Sequence, residues 1–66
     1  MIVNVEKYVI ATKDRPIEFH YNSGEMTEYF KHAILYKEKC NAEFDLAEFD
    51  KPDDFEILKV EVSCIV

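Results

Sequence analysis

The side chains able to do chemistry in this 66-residue chain are two histidines, two cysteines, fourteen carboxylates and a few hydroxyls. Their spacing decides what they can do. Cys40 and Cys64 lie far apart, and neither a C-x-x-C nor an H-x-x-x-H motif occurs, so the local ligand spacing of a zinc site is missing. His20 and His32 could each act as a general base if a nucleophile lay within hydrogen-bond reach. The simpler expectation is that both are solvated, His20 beside Glu18 on the polar face of a strand and His32 near Glu28 and Tyr36. Ser23, Ser63, Thr12 and Thr27 have no recognisable nucleophile context. The single glycine, Gly24, excludes glycine-rich phosphate loops. Asp50, Asp53 and Asp54 share one turn and suit a hard cation by type, but Lys51-Pro52 interrupts the alternation that a calcium loop requires. The expectation is a non-enzymatic protein with no metal and no cofactor.

The carboxylates matter more as a field than as reagents. Residues 1–42 carry six acids and six bases, whereas residues 43–66 carry eight acids against Lys51 and Lys59. The formal net charge of −6 therefore resides entirely in the C-terminal part. Direct binding to nucleic acid is disfavoured by sign, because phosphate contacts need clustered Lys or Arg and the chain has one Arg. A fixed acidic surface speeds encounter with a basic partner and makes the encounter salt-sensitive.

One domain spanning residues 1–66 is all this length allows, near the lower limit for a fold held by a hydrophobic core alone. Four Tyr and five Phe supply large apolar areas, about 150–250 Å² each. They leave little material for a deep enclosed pocket. Two cysteines are too few for a secreted disulfide framework, the first residues lack a basic leader followed by an apolar run, and no stretch has the length of a membrane span. The expectation is a cytoplasmic chain whose thiols are small buried packing residues, with a single bridge as the alternative.

The elements that would position the acids follow from periodicity. Residues 2–12 are rich in β-branched types and predict a strand, with Val3, Val5, Val9 and Ala11 on one face. Lys13-Asp14-Arg15-Pro16 predicts a turn. Ile17, Phe19 and Tyr21 then alternate with Glu18, His20 and Asn22, the pattern of a half-buried strand. With Ser23 as N-cap, Met26, Tyr29, Phe30, Ala33 and Ile34 form the stripe of an amphipathic helix over about 24–39. Leu35 and Tyr36 lie off the stripe and widen its buried face.

Ala42, Phe44 and Leu46 alternate with Glu43 and Asp45, which favours a strand over the competing helix that Ala, Glu and Leu would also suit. Asp50 to Asp54 predicts a turn, and 55–66 a strand with Leu58, Val60, Val62, Cys64 and Val66 on one face. The resulting order is β-β-α-β-β: an α+β domain in which a four-stranded antiparallel sheet carries one amphipathic helix on one face. So small a sheet, with apolar residues on both faces or a long edge, often pairs with a second copy or another chain. A homodimer through an edge strand or the open face is therefore a candidate assembly.

The expected partner site is an acidic C-terminal hairpin: Glu43, Asp45, Glu48, Asp50, Asp53, Asp54 and Glu56, with Tyr36, Phe49 and Phe55 as candidate anchors. It would serve a small protein-binding module that inhibits or neutralises a basic protein. Two alternatives stand beside this. The carboxylate row could imitate a phosphate backbone and block a DNA- or RNA-binding enzyme, or the charge could serve solubility with no specific target. In size, acidity and mixed β/α order, and in its ending Asp-Asp-Phe-Glu-Ile-Leu-Lys-Val-Glu-Val, the chain resembles the small acidic accessory proteins that tailed phages make against host enzymes. That resemblance implies a host toxin, nuclease or regulator as partner, in the host cytoplasm. It carries no motif, and no residue role passes through it.

Overall fold

A computed structural model describes residues 1–22 and 25–65. The proposed N-cap at Ser23, and Val66 at the end of the last strand, lie outside the described residues. Four strands form one sheet: β1 (Ile2–Thr12), β2 (Phe19–Asn22), β3 (Glu25–Thr27) and β4 (Phe55–Ile65), in the spatial order β3-β2-β1-β4 with antiparallel neighbours. One α-helix, α1 (Lys39–Leu46), lies between β3 and β4 in the chain. The domain is a small α+β unit, as the sequence predicts, with its helix elsewhere in the chain.

The dominant element is the β1–β4 ribbon, paired without a bulge from Ile2 opposite Ile65 to Thr12 opposite Phe55. Eleven residues at about 3.3 Å each span about 36 Å, which accounts for the 41 Å long axis of the molecule. Both strands are where the β-branched runs place them. The pairing of β2 with β1 is short: Ala11 faces Phe19, and the Thr12 N–H donates to the Glu18 carbonyl at 2.9 Å.

Of the helix predicted over 24–39, residues 25–38 are not α-helical, and Gly24 lies outside the described residues. Its apolar residues are instead distributed over the sheet. Met26 pairs with His20 in β3, Phe30 sits in a 3-10 turn (Phe30–His32) with its ring edge-on to Phe19, and the Ile34 N–H donates to the His20 carbonyl at 3.0 Å. Tyr36 exchanges two 2.8 Å backbone hydrogen bonds with Tyr8 of β1. The segment thus carries the backbone pairing that β1 and β2 do not make with each other. Long-range pairing of β-favouring aromatic and β-branched residues outweighs a helical stripe that would have served only one face.

The predicted strand over 42–46 is a correction as well, since these residues are the helix. Ala42 is fully buried against the sheet, and a methyl side chain is what lets the helix approach that closely. It joins Ile10 and Tyr36 in the core, with Tyr8, Ile34, Leu46, Phe49, Phe55 and Ile57 packed around them. The helix therefore covers the sheet face that bears Tyr8, Ile10, Phe55 and Ile57. The acidic C-terminal hairpin is accordingly replaced by a helix, a turn and an outer strand.

Two further corrections concern single side chains. His20, expected in solvent, is 6 % exposed. Cys40 and Cys64, expected to be buried, are exposed free thiols.

Candidate functional site: an acidic cleft over an aromatic floor

Helix α1 ends in a turn. The N–H groups of Ala47, Glu48 and Phe49 donate to the carbonyls of Glu43, Asp45 and Leu46, and Pro52 opens a 3-10 turn (Pro52–Asp54) that leads into β4. This connection stands away from β2 and β3 and leaves an open cleft of about 790 Å³ between them. The sheet side contributes His20, Met26 and Ile34. The helix and turn contribute Asp45, Glu48, Phe49, Asp50, Lys51, Asp54 and Phe55.

The floor is aromatic. The Phe49 ring lies edge-on between His20, at 4.9 Å between centroids, and Phe55, at 5.0 Å. Edge-to-face packing at such distances matches the positive edge of one ring to the negative face of the next. The rim is acidic: Asp45, Glu48, Asp50 and Asp54 stand around it against the single ammonium of Lys51. The Lys59–Glu6 ion pair lies on the far part of the ribbon, away from the four rim carboxylates.

Two buried polar groups sit under this rim. The Tyr36 hydroxyl donates to Asp45 Oδ2 at 2.7 Å, and this bond fixes the orientation of Asp45. Burial, followed by that hydrogen bond and the charge of Asp45, pushes the Tyr36 phenol well above its ordinary range. His20 is displaced the other way. Burial lowers its pKa below 6.5, against the opposing pull of Asp45 and of the Glu25 backbone. Its Nδ1 is buried without a hydrogen-bond partner among the described residues.

The structure thus brings together Asp45, Glu48, Phe49, Asp50 and Asp54 of the predicted site, along with Phe55. Tyr36 lies beneath them as a buried support, 8 % exposed, and not as a contact residue. Glu43, Asp53 and Glu56 are exposed and do not line the cleft. Glu43 and Asp45 are not a row on a strand. Two residues apart on a helix, they point in different directions. Sequence reasoning missed His20, Met26 and Ile34, and Lys51 was noted only as an interruption of the acidic turn. His20 follows the period-2 pattern expected of an outward residue, and nothing local signals that Phe49, in the turn after α1, packs its ring against it.

The lining residues include no hydroxyl or thiol nucleophile. Among the described residues no three His, Cys, Asp or Glu side chains converge as a metal ion would require. No described helix is long and apolar enough to cross a membrane. Comparison with protein-family models, with curated proteins and with solved structures finds no match for the chain.

Proposed function

We propose that this chain is a small, non-enzymatic binding module that captures a basic protein by taking a Lys or Arg side chain of that partner into the acidic cleft. The observation that carries this is the combination at one place of an apolar floor (Phe49, Phe55, Met26, Ile34) and a rim of four carboxylates with one cation. Lys and Arg are amphipathic in the same sense: an aliphatic stem that packs on apolar surface and a charged head that seeks carboxylates. The floor receives the stem and the rim the head. Glu43, Asp53 and Glu56, outside the cleft, extend the field that steers the partner in.

Capture of this kind occludes the partner's basic surface and so inhibits it. The resemblance to phage accessory proteins fits a host toxin, nuclease or regulator in that role, met in the host cytoplasm. The phosphate-mimic alternative depends on a row of carboxylates on a strand, and it loses that support when Glu43 and Asp45 lie on a helix.

A salt-gradient elution tests the proposal. The immobilised chain is exposed to a lysate at low ionic strength, and bound proteins are eluted with rising salt. Basic proteins that elute as the salt rises, and that free arginine displaces, support it. Retention of nothing even at low salt, or of proteins without a basic surface, contradicts it.

A further inference from the structure

We infer that two copies of this chain join edge to edge through β4, forming one eight-stranded sheet about a twofold axis at Val60. This is independent of the cleft. β4 is an outer strand of the sheet, and its eleven residues pair with β1 in unbroken register, without bulge or proline. Bulges and prolines are two of the devices that blunt a sheet edge; β4 lacks both, and its charged residues, Glu56, Lys59 and Glu61, restrict which strand can pair with it.

Charge indicates which strand fits. Two strands related by a twofold axis pair antiparallel, and residues directly opposite each other share a face, so the register is named by the residue on the axis. An axis at Lys59 sets Lys59 against its own copy, and one at Glu61 sets Glu61 against its own copy. An axis at Leu58 or Val62 leaves both charges facing apolar or hydroxyl side chains. An axis at Val60 places Lys59 opposite Glu61 of the second copy, twice over. The same axis is the midpoint of Phe55–Ile65, so the register with matched charges is also the one with full overlap.

The surroundings agree. The paired ribbon, residues 2–12 and 55–65, carries Glu6, Lys7, Glu56, Lys59 and Glu61 and sums to −1 on a chain whose formal charge is −6; in this register Glu56 lies opposite Cys64. Six of the eight C-terminal acids, Glu43, Asp45, Glu48, Asp50, Asp53 and Asp54, lie at the helix and turns instead of on β4. Val60 meets its own copy, and Leu58 meets Val62, on one face. Ile65, 87 % exposed in the single chain, comes opposite Phe55.

Sedimentation equilibrium of the full chain across a concentration series tests this, with folding followed by circular dichroism. The expected species has twice the 7.8 kDa chain mass. Glu61→Lys should weaken self-association by about tenfold, since two attractive cross-strand pairs become repulsive. Within one chain that substitution sets Lys against Glu6, its opposite number on β1, so folding is not threatened. Adding Lys59→Glu should restore association. In a C40S/C64S background, Val60→Cys should oxidise to a disulfide-linked dimer. A monomer throughout the series overturns the inference, as does a dimer that is indifferent to Glu61→Lys or is not cross-linked by Val60→Cys.

Discussion

The hydroxyl of Tyr36 donates to Asp45 Oδ2 at 2.7 Å, and this one bond ties the strand-like segment after β3 to the helix that contributes Asp45 to the acidic rim. Tyr36 is held at its other end by its backbone pairing with Tyr8. The carboxylate is thus positioned from the centre of the sheet.

Tyr36→Phe keeps the ring and removes the bond. It should cost about 1–3 kcal/mol in urea unfolding at neutral pH, the range for a hydrogen bond to a charged acceptor whose partner is left without it. The same phenol gives an alkaline signature. Its pKa is raised in the folded state, so its contribution is fully present below the unfolded value of about 10 and is lost as pH rises beyond it. Wild type should lose stability above about pH 10, and Tyr36→Phe should lose less. Equal alkaline slopes would contradict a phenol both buried and hydrogen-bonded to Asp45.

His20 gives the opposite sign. Burial lowers its folded pKa, so the neutral ring is favoured, and its contribution is present above about 6.5 and lost as pH falls. Urea unfolding should show stability declining as pH falls below about 6.5, the ordinary histidine value. His20→Leu should flatten that decline. An unchanged slope in the variant would place the titrating group elsewhere.

Ala42 tests where the helix lies. It is fully buried at the contact between α1 and the sheet, so Ala42→Leu should destabilise by about 1–3 kcal/mol through overpacking. Phe44→Ala, on the same helix at 70 % exposure, should change stability by less than about 0.5 kcal/mol. Were residues 42–46 a strand with Ala42, Phe44 and Leu46 facing inward, Phe44→Ala would be the more damaging substitution.

These residues also mark what was legible in the sequence. The two long strands announce themselves because β-branched residues run through 2–12 and 55–65, and their pairing then follows from the sheet. The helix does not, because Lys-Cys-Asn-Ala-Glu-Phe-Asp-Leu has no apolar stripe: one small residue, Ala42, is buried, and Phe44 points outward. The stripe that does exist, Met26 to Ile34, is shared between strand pairing and both sheet faces, and local periodicity cannot reveal that. Six of the ten predicted site residues still line the cleft, because those acids, Phe49 and Phe55 lie close together in sequence around one turn. The cleft's other wall, His20, Met26 and Ile34, comes from chain that folds back from elsewhere.

Isothermal titration of a short arginine-rich peptide at low salt, comparing two variants of equal charge, tests cleft capture most directly. Glu48→Gln/Asp50→Asn/Asp54→Asn removes three rim carboxylates, and Glu43→Gln/Asp53→Asn/Glu56→Gln removes three outside the cleft. The rim variant should bind about tenfold or more weakly than wild type, and the outer variant within about twofold. Equal losses in the two variants, or a larger loss in the outer one, would mean that the peptide senses net charge or another surface, and would contradict capture in the cleft.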